Sequence, residues 1–127
     1  MTKRLEALLK FLDQDPDDAF TRYGIALEYI AIKDFEKAIE FLNSVLERDK
    51  NYLAAYQQLG HIYAITNRKD LAIEIYKNAI EAAKATGDKH AADNISNFLA
   101  ELQYRDWLMT IEERLNLFKK SGAFLEG

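Results

Sequence analysis

Tyr56-Gln57-Gln58-Leu59-Gly60-His61-Ile62-Tyr63, continued through Ala72, Tyr76 and Ala79, decides the reading of this chain because the pattern has occurred before. At one constant offset, Ile25, Ala26, Tyr29, Ala38, Leu42 and Val45 hold the places of Leu59, Gly60, Tyr63, Ala72, Tyr76 and Ala79. Self-similarity at a period of roughly 20 to 50 residues marks a stacked repeat protein. No single unit of that kind buries its own apolar face, so neighbours must pile side by side.

Around the repeat, breakers are rare. Glycine stands at Gly24, Gly60, Gly87, Gly122 and Gly127, and Pro16 is the only proline. Long stretches without either favour helices throughout. The first is expected over about Thr2 to Asp13, with Leu5, Leu8, Leu9 and Leu12 at helical spacing. It stops at Asp13-Gln14-Asp15-Pro16-Asp17-Asp18, because Pro16 pushes Asp15 out of helical geometry. Asp17 or Asp18 can then accept hydrogen bonds from the free N–H groups of the next helix. Helices follow at about Asp18–Ile32, Phe35–Arg48, Tyr52–Thr66 and Lys69–Thr86, with turns at Lys33-Asp34, Asp49-Lys50-Asn51 and Asn67-Arg68. Gly87 is a natural left-handed stop. Beyond it, Ala92, Ile95, Phe98, Leu99 and Leu102 make one apolar stripe, and Leu108, Ile111, Leu115 and Phe118 make another. No breaker separates them, so this is one long helix or two with a bend near Arg105. Residues 121–127 read as a frayed tail.

The spacing resembles the tetratricopeptide repeat, a helix–turn–helix unit with a period of about 34 residues. Tyr56, Leu59-Gly60, Tyr63, Ala72, Tyr76 and Ala79 match its motif in the second unit. In the first unit Arg22 stands where the aromatic belongs, and later in the chain Lys50 and Lys84 replace the motif's proline, which Pro16 supplies. The resemblance covers about residues 2–85. It implies an all-α fold, a right-handed stack of antiparallel helix pairs with a C-terminal capping helix. The expected repeat domain is 1–104: a half repeat at 2–15, repeats at 18–51 and 52–85, and a capping helix at 88–104. Residues 105–127 would form a helical extension and tail.

Composition excludes several functions. The chain has 127 residues, 49% hydrophobic and 30% charged, which suits one ordinary globular domain. A net charge of −4 and the absence of any basic run argue against nucleic acid. Without cysteine there is no disulfide, thiolate metal site or cysteine nucleophile. Lys3, Arg4, Glu6, Lys10, Asp13 and Asp15 interrupt any signal-peptide core, and no apolar stretch approaches the ~20 residues of a membrane span. A cytoplasmic location, without membrane association, is expected.

Catalytic constellations are also missing. His61 has no acid three or four residues away to support it as a base. His90 and Asp93 share a face, but two ligands make no metal site. The aspartates between Asp13 and Asp18 lack the glycine and final glutamate of a calcium loop. No phosphate loop or serine elbow occurs. A non-catalytic protein with no cofactor and no metal is expected.

A stack of helix pairs presents a surface, and the first helix of each pair lines its concave side. Phe20, Tyr23, Leu27, Ile30 and Ala31 share that face in the first unit. Ala54, Gln57, His61, Ala64 and Ile65 share it in the second. The expected groove residues are thus Phe20, Tyr23, Leu27, Ile30, Gln57, His61 and Ile65, contacting a protein or peptide partner. Some relatives clamp acidic chaperone tails with lysine, arginine and asparagine; Tyr23, Leu27, Gln57, His61 and Ile65 cannot do so. A second expectation is self-association, with Trp107, Leu108, Ile111, Leu115 and Phe118 of the last helix filling the groove in cis or in a homodimer. A cap packed over the last repeat is the simplest role for that helix.

Overall fold

Six helices carry the chain back and forth in the computed structural model, which describes residues 2–121. They are α1 (Lys3–Gln14), α2 (Ala19–Ala31), α3 (Phe35–Arg48), α4 (Leu53–Ile65), α5 (Lys69–Ala85) and α6 (Lys89–Lys120). The first five lie within a residue or two of their sequence expectations, and the described residues contain no strand. Consecutive helices pack on one another, so α1 leans on α2, α2 pairs with α3 and α4 with α5, and α6 lies along α5. This is the expected all-α stack of helix pairs. The one difference in outline concerns α6, a single uninterrupted helix of 32 residues that passes through Arg105 without a break. The boundary expected after Tyr104 falls inside it. Of the tail expected at 121–127, Ser121 caps α6 and the remainder lies outside the described residues.

The same turn chemistry recurs at the repeat period. Lys33 (φ 62°) and Asn67 (φ 63°) both take the left-handed conformation that closes a helix pair, and Gly87 (φ 75°) does so between α5 and α6. Asp34 accepts from the Lys37 N–H and Asp88 from the Ala91 N–H, capping α3 and α6. Asp18 departs from expectation. It sits at the N-cap of α2, but its carboxylate makes no bond to the helix backbone and instead accepts the Thr21 hydroxyl. Asp17 pairs with Arg48 at 3.6 Å rather than capping.

Arg22, where the repeat motif wants an aromatic, turns out to do the aromatic's work. The Tyr56 hydroxyl donates to the Lys50 carbonyl at 2.8 Å. One repeat earlier, Arg22 Nε donates to the Pro16 carbonyl at 2.9 Å. Each tie runs six residues back from α4 or α2 to the loop that precedes it. Arg22 also reaches Ser44 on α3. A guanidinium on a long stem can replace a phenol here because the task is to hold one carbonyl.

Two apolar clusters run through the stack. Ala26, Ala38, Ile39, Leu42 and Val45 bury against Ala55, Leu59 and Ile62 of α4, which welds the first unit to the second. Ala72, Tyr76 and Ala79 bury against Ile95 and Leu99 of α6. Tyr63 packs against both clusters. Small residues sit where helices cross most closely, and Gly60 is the extreme case. A Cβ there would lie 2.5 Å from Cζ of the Tyr76 ring.

Candidate functional site

The face of α6 that looks back toward α4 differs from the face that α5 covers. Ala92, Ile95 and Leu99 are buried, whereas Phe98, one residue from Leu99, is 64% exposed. A helix turns about 100° per residue, so Asn94, Asn97 and Phe98 form a separate strip. With Ile30 on α2, Gln57, Gln58 and His61 on α4 and Tyr76 on α5, they line a cleft of about 880 Å³. A smaller cleft of about 500 Å³ continues from it, sharing His61, Tyr76 and Phe98 and adding Ala64, Ile65, Lys69, Glu101, Leu102, Arg105 and Met109.

Tyr76 and Phe98 form the floor, their ring centroids 6.2 Å apart in a stacked arrangement. Tyr76 gets there from α5 by lying across Gly60, where α4 has no side chain to block it. The walls of the larger cleft carry four amides, Gln57, Gln58, Asn94 and Asn97, with the His61 imidazole. None of its lining side chains is a carboxylate, an ammonium or a guanidinium. Farther along, the cations have partners: Lys69 Nζ is 3.5 Å from Asp106, and Arg105 donates to Glu101 at 2.7 Å.

Four of the residues expected in a groove line these clefts: Ile30, Gln57, His61 and Ile65. Phe20, Tyr23 and Leu27 do not. Phe20 is 74% and Leu27 38% exposed, while the Tyr23 ring tilts against Tyr52 at 5.2 Å. α1 leaves Phe20 and Leu27 uncovered because it packs on a different face of α2, with Leu8 against Gly24 and Arg4 3.5 Å from Glu28. Sequence reading misses Tyr76, Gln58, Asn94, Asn97 and Phe98. Hydrophobicity groups Phe98 with the apolar stripe of Ile95 and Leu99; the recurrence of Asn94, Asn97 and Phe98 at helical spacing is the available signal. Along the rest of α6, Trp107, Leu108, Leu115 and Phe118 are exposed and Ile111 half-buried. Among the described residues no three His, Cys, Asp or Glu side chains gather as a metal ion would require, and no helix is long and apolar enough to cross a membrane.

Burial raises the hydroxyl pKa of Tyr76 above its ordinary 10.0. It does the same at Tyr56, helped by Asp49, and at Tyr52, helped by Tyr23, Asp49 and Asp18. A raised folded pKa means that the folded chain keeps protons which the unfolded chain releases. Stability from these tyrosines is therefore complete below pH 10.0 and falls as pH climbs through their folded values. Denaturant midpoints measured on either side of that pH should show the decline, and it should be shallower in Tyr76→Phe. An equal slope in the two proteins would place the effect elsewhere.

Comparison with known proteins agrees with this architecture. The tetratricopeptide repeat profile matches residues 1–83. The chain belongs to the tetratricopeptide repeat family. A tetratricopeptide repeat-containing protein of Pseudomonas aeruginosa is 30% identical over 98 residues, which is 77% of this chain and 93% of that one. The solution structure of a tetratricopeptide repeat domain protein from Salinibacter ruber superposes with a TM-score of 0.65 at 30% identity, covering 69% of this chain and 89% of that one. The solution structure of a Bordetella parapertussis protein gives 0.72 at 25% identity, covering 85% and 94%. Tetratricopeptide repeats are in general non-catalytic protein–protein interaction modules.

Proposed function

We propose that this tetratricopeptide repeat protein is an adaptor that holds a short, largely uncharged peptide segment, extended or helical, in the cleft between α2, α4 and α6. The observation that carries the reading is the pairing of the exposed Phe98 ring, stacked on the buried Tyr76, with four amide side chains on the walls. An apolar floor supplies affinity for an anchoring side chain. Asn and Gln both donate and accept, so they can satisfy peptide N–H and C=O groups that lose water on docking. An acidic tail would find no cation in the larger cleft, and in the smaller one it would compete with Asp106 and Glu101 for Lys69 and Arg105. Phe20, Tyr23 and Leu27 extend the recognition surface along α2. Solution in the cytoplasm, without membrane contact, accords with this role.

Peptides selected from a random library on the immobilised protein provide the probe. Removing the Phe98 ring should weaken their binding by about tenfold or more, the usual cost of losing a central aromatic anchor, with little change in thermal stability because the ring is mostly exposed. Leu27→Asp should have a smaller effect. Selected peptides that bind Phe98→Ala as tightly as wild type but fail on Leu27→Asp would move the site to α2, and the cleft reading would be abandoned.

A further inference from the structure

The far half of α6 carries a pattern that the cleft does not use. Lys69, the first residue of α5, reaches Asp106 at 3.5 Å and Met109 at 3.2 Å, so residues 110–120 run on past the start of α5 for roughly 16 Å. On the side of α6 away from α5, Tyr104, Leu108, Ile111 and Leu115 recur at spacings of four, three and four. That is the spacing a two-stranded coiled-coil seam uses, with Leu108 and Leu115 then at a and Tyr104 and Ile111 at d. Arg105 and Glu112 then fall at e, and Trp107 and Arg114 at g.

We infer that this seam is an antiparallel interface between two copies of the chain, centred between Met109 and Thr110. Three registers can be compared by their flanking charges. In a parallel pair, Arg114 at g would face Lys119 at e of the other copy, which repels. In an antiparallel pair e faces e and g faces g. Centring that pair on Glu113 sets Glu112 against Glu112 and Arg114 against Arg114, again repulsive. Centring it between Met109 and Thr110 sets Arg105, which within its own helix pairs with Glu101 at 2.7 Å, against Glu112 twice over, and places the Arg114 guanidinium beside the Trp107 indole, where a cation–π contact is available. In the same register Tyr104 meets Leu115 and Leu108 meets Ile111, giving four apolar layers. The Trp107 ring is already steadied by stacking on Tyr104 at 5.9 Å. The arrangement is isologous, as two-fold dimers require. Its four apolar positions lie outside the cleft lining, whereas Arg105 also borders the smaller cleft.

Charge exchange tests the register. The wild-type chain should sediment as a reversible dimer between micromolar and millimolar concentration. Arg105→Glu alone, or Glu112→Arg alone, should raise the dissociation constant about tenfold by replacing two attractions with two repulsions. The double exchange should restore it. Both positions are exposed, and circular dichroism should show helix content retained in every variant. Because the chain has no cysteine, a mixture of Leu108→Cys and Ile111→Cys chains should cross-link to each other faster than either does to itself. A wild-type chain that stays monomeric throughout, a double exchange no tighter than the singles, or Leu108→Cys cross-linking chiefly to itself would each overturn the interface.

Discussion

Gly60→Ala should destabilise the protein by about 2 kcal/mol, the middle of the range for overpacking, although alanine is by far the better helix former. The added methyl would sit 2.5, 2.6 and 2.9 Å from Cζ, Cε1 and Cε2 of Tyr76. That ring is only 6% exposed and stacked on Phe98, so yielding means losing burial and moving into the cleft. Overpacking of this kind costs roughly 1–3 kcal/mol, with lost ring burial added to it. The propensity gain returns about 1 kcal/mol. The first repeat shows how the conflict is resolved: Ala26 and Leu42 occupy the equivalent positions, and both are fully buried in one cluster. Gly60→Ala with Tyr76→Leu should therefore be more stable than Gly60→Ala alone. Chemical denaturation of the four proteins in the cycle measures the coupling. Additive effects would mean that glycine and tyrosine are not a matched pair.

Leu59→Ala should cost more, about 3 kcal/mol, because Leu59 is fully buried where α4 seals against the first unit. Large-to-small changes at such sites remove transfer free energy and leave a cavity, typically about 2–5 kcal/mol for leucine. Neighbouring units in a stack stabilise one another through that seam. The loss should therefore lower the unfolding midpoint of the whole chain by about 10 °C. His61→Ala, two residues on and exposed to the cleft, should shift the midpoint by no more than a degree or two, within about ±0.5 kcal/mol. Calorimetry of the two variants gives the comparison; equal losses would contradict the assignment of the two faces of α4.

Gln57, His61 and Ile65 were legible as a stripe at helical spacing on one face of α4, and the structure brings all three to the clefts. Phe98 was not, because hydrophobicity marks it as core and only the rotation of α6 about its own axis turns it outward. Tyr76 was legible as a motif position but not as floor, since it reaches the cleft only through the gap at Gly60, on another helix. Arg22 departs from the motif in residue type, yet its bond to the Pro16 carbonyl matches that of Tyr56 to the Lys50 carbonyl.

By itself the amino-acid order determined the number of helix pairs, their turns and the residues that must be small, because a constant repeat period with helical spacing inside it admits one way of stacking. Tertiary structure alone decided which apolar side chains stay in water. The rotation of α6 against α5 exposes Phe98 while burying Leu99, and the packing angle of α1 on α2 leaves Phe20 outside. Those are rigid-body relations between whole helices, and local spacing carries no record of them.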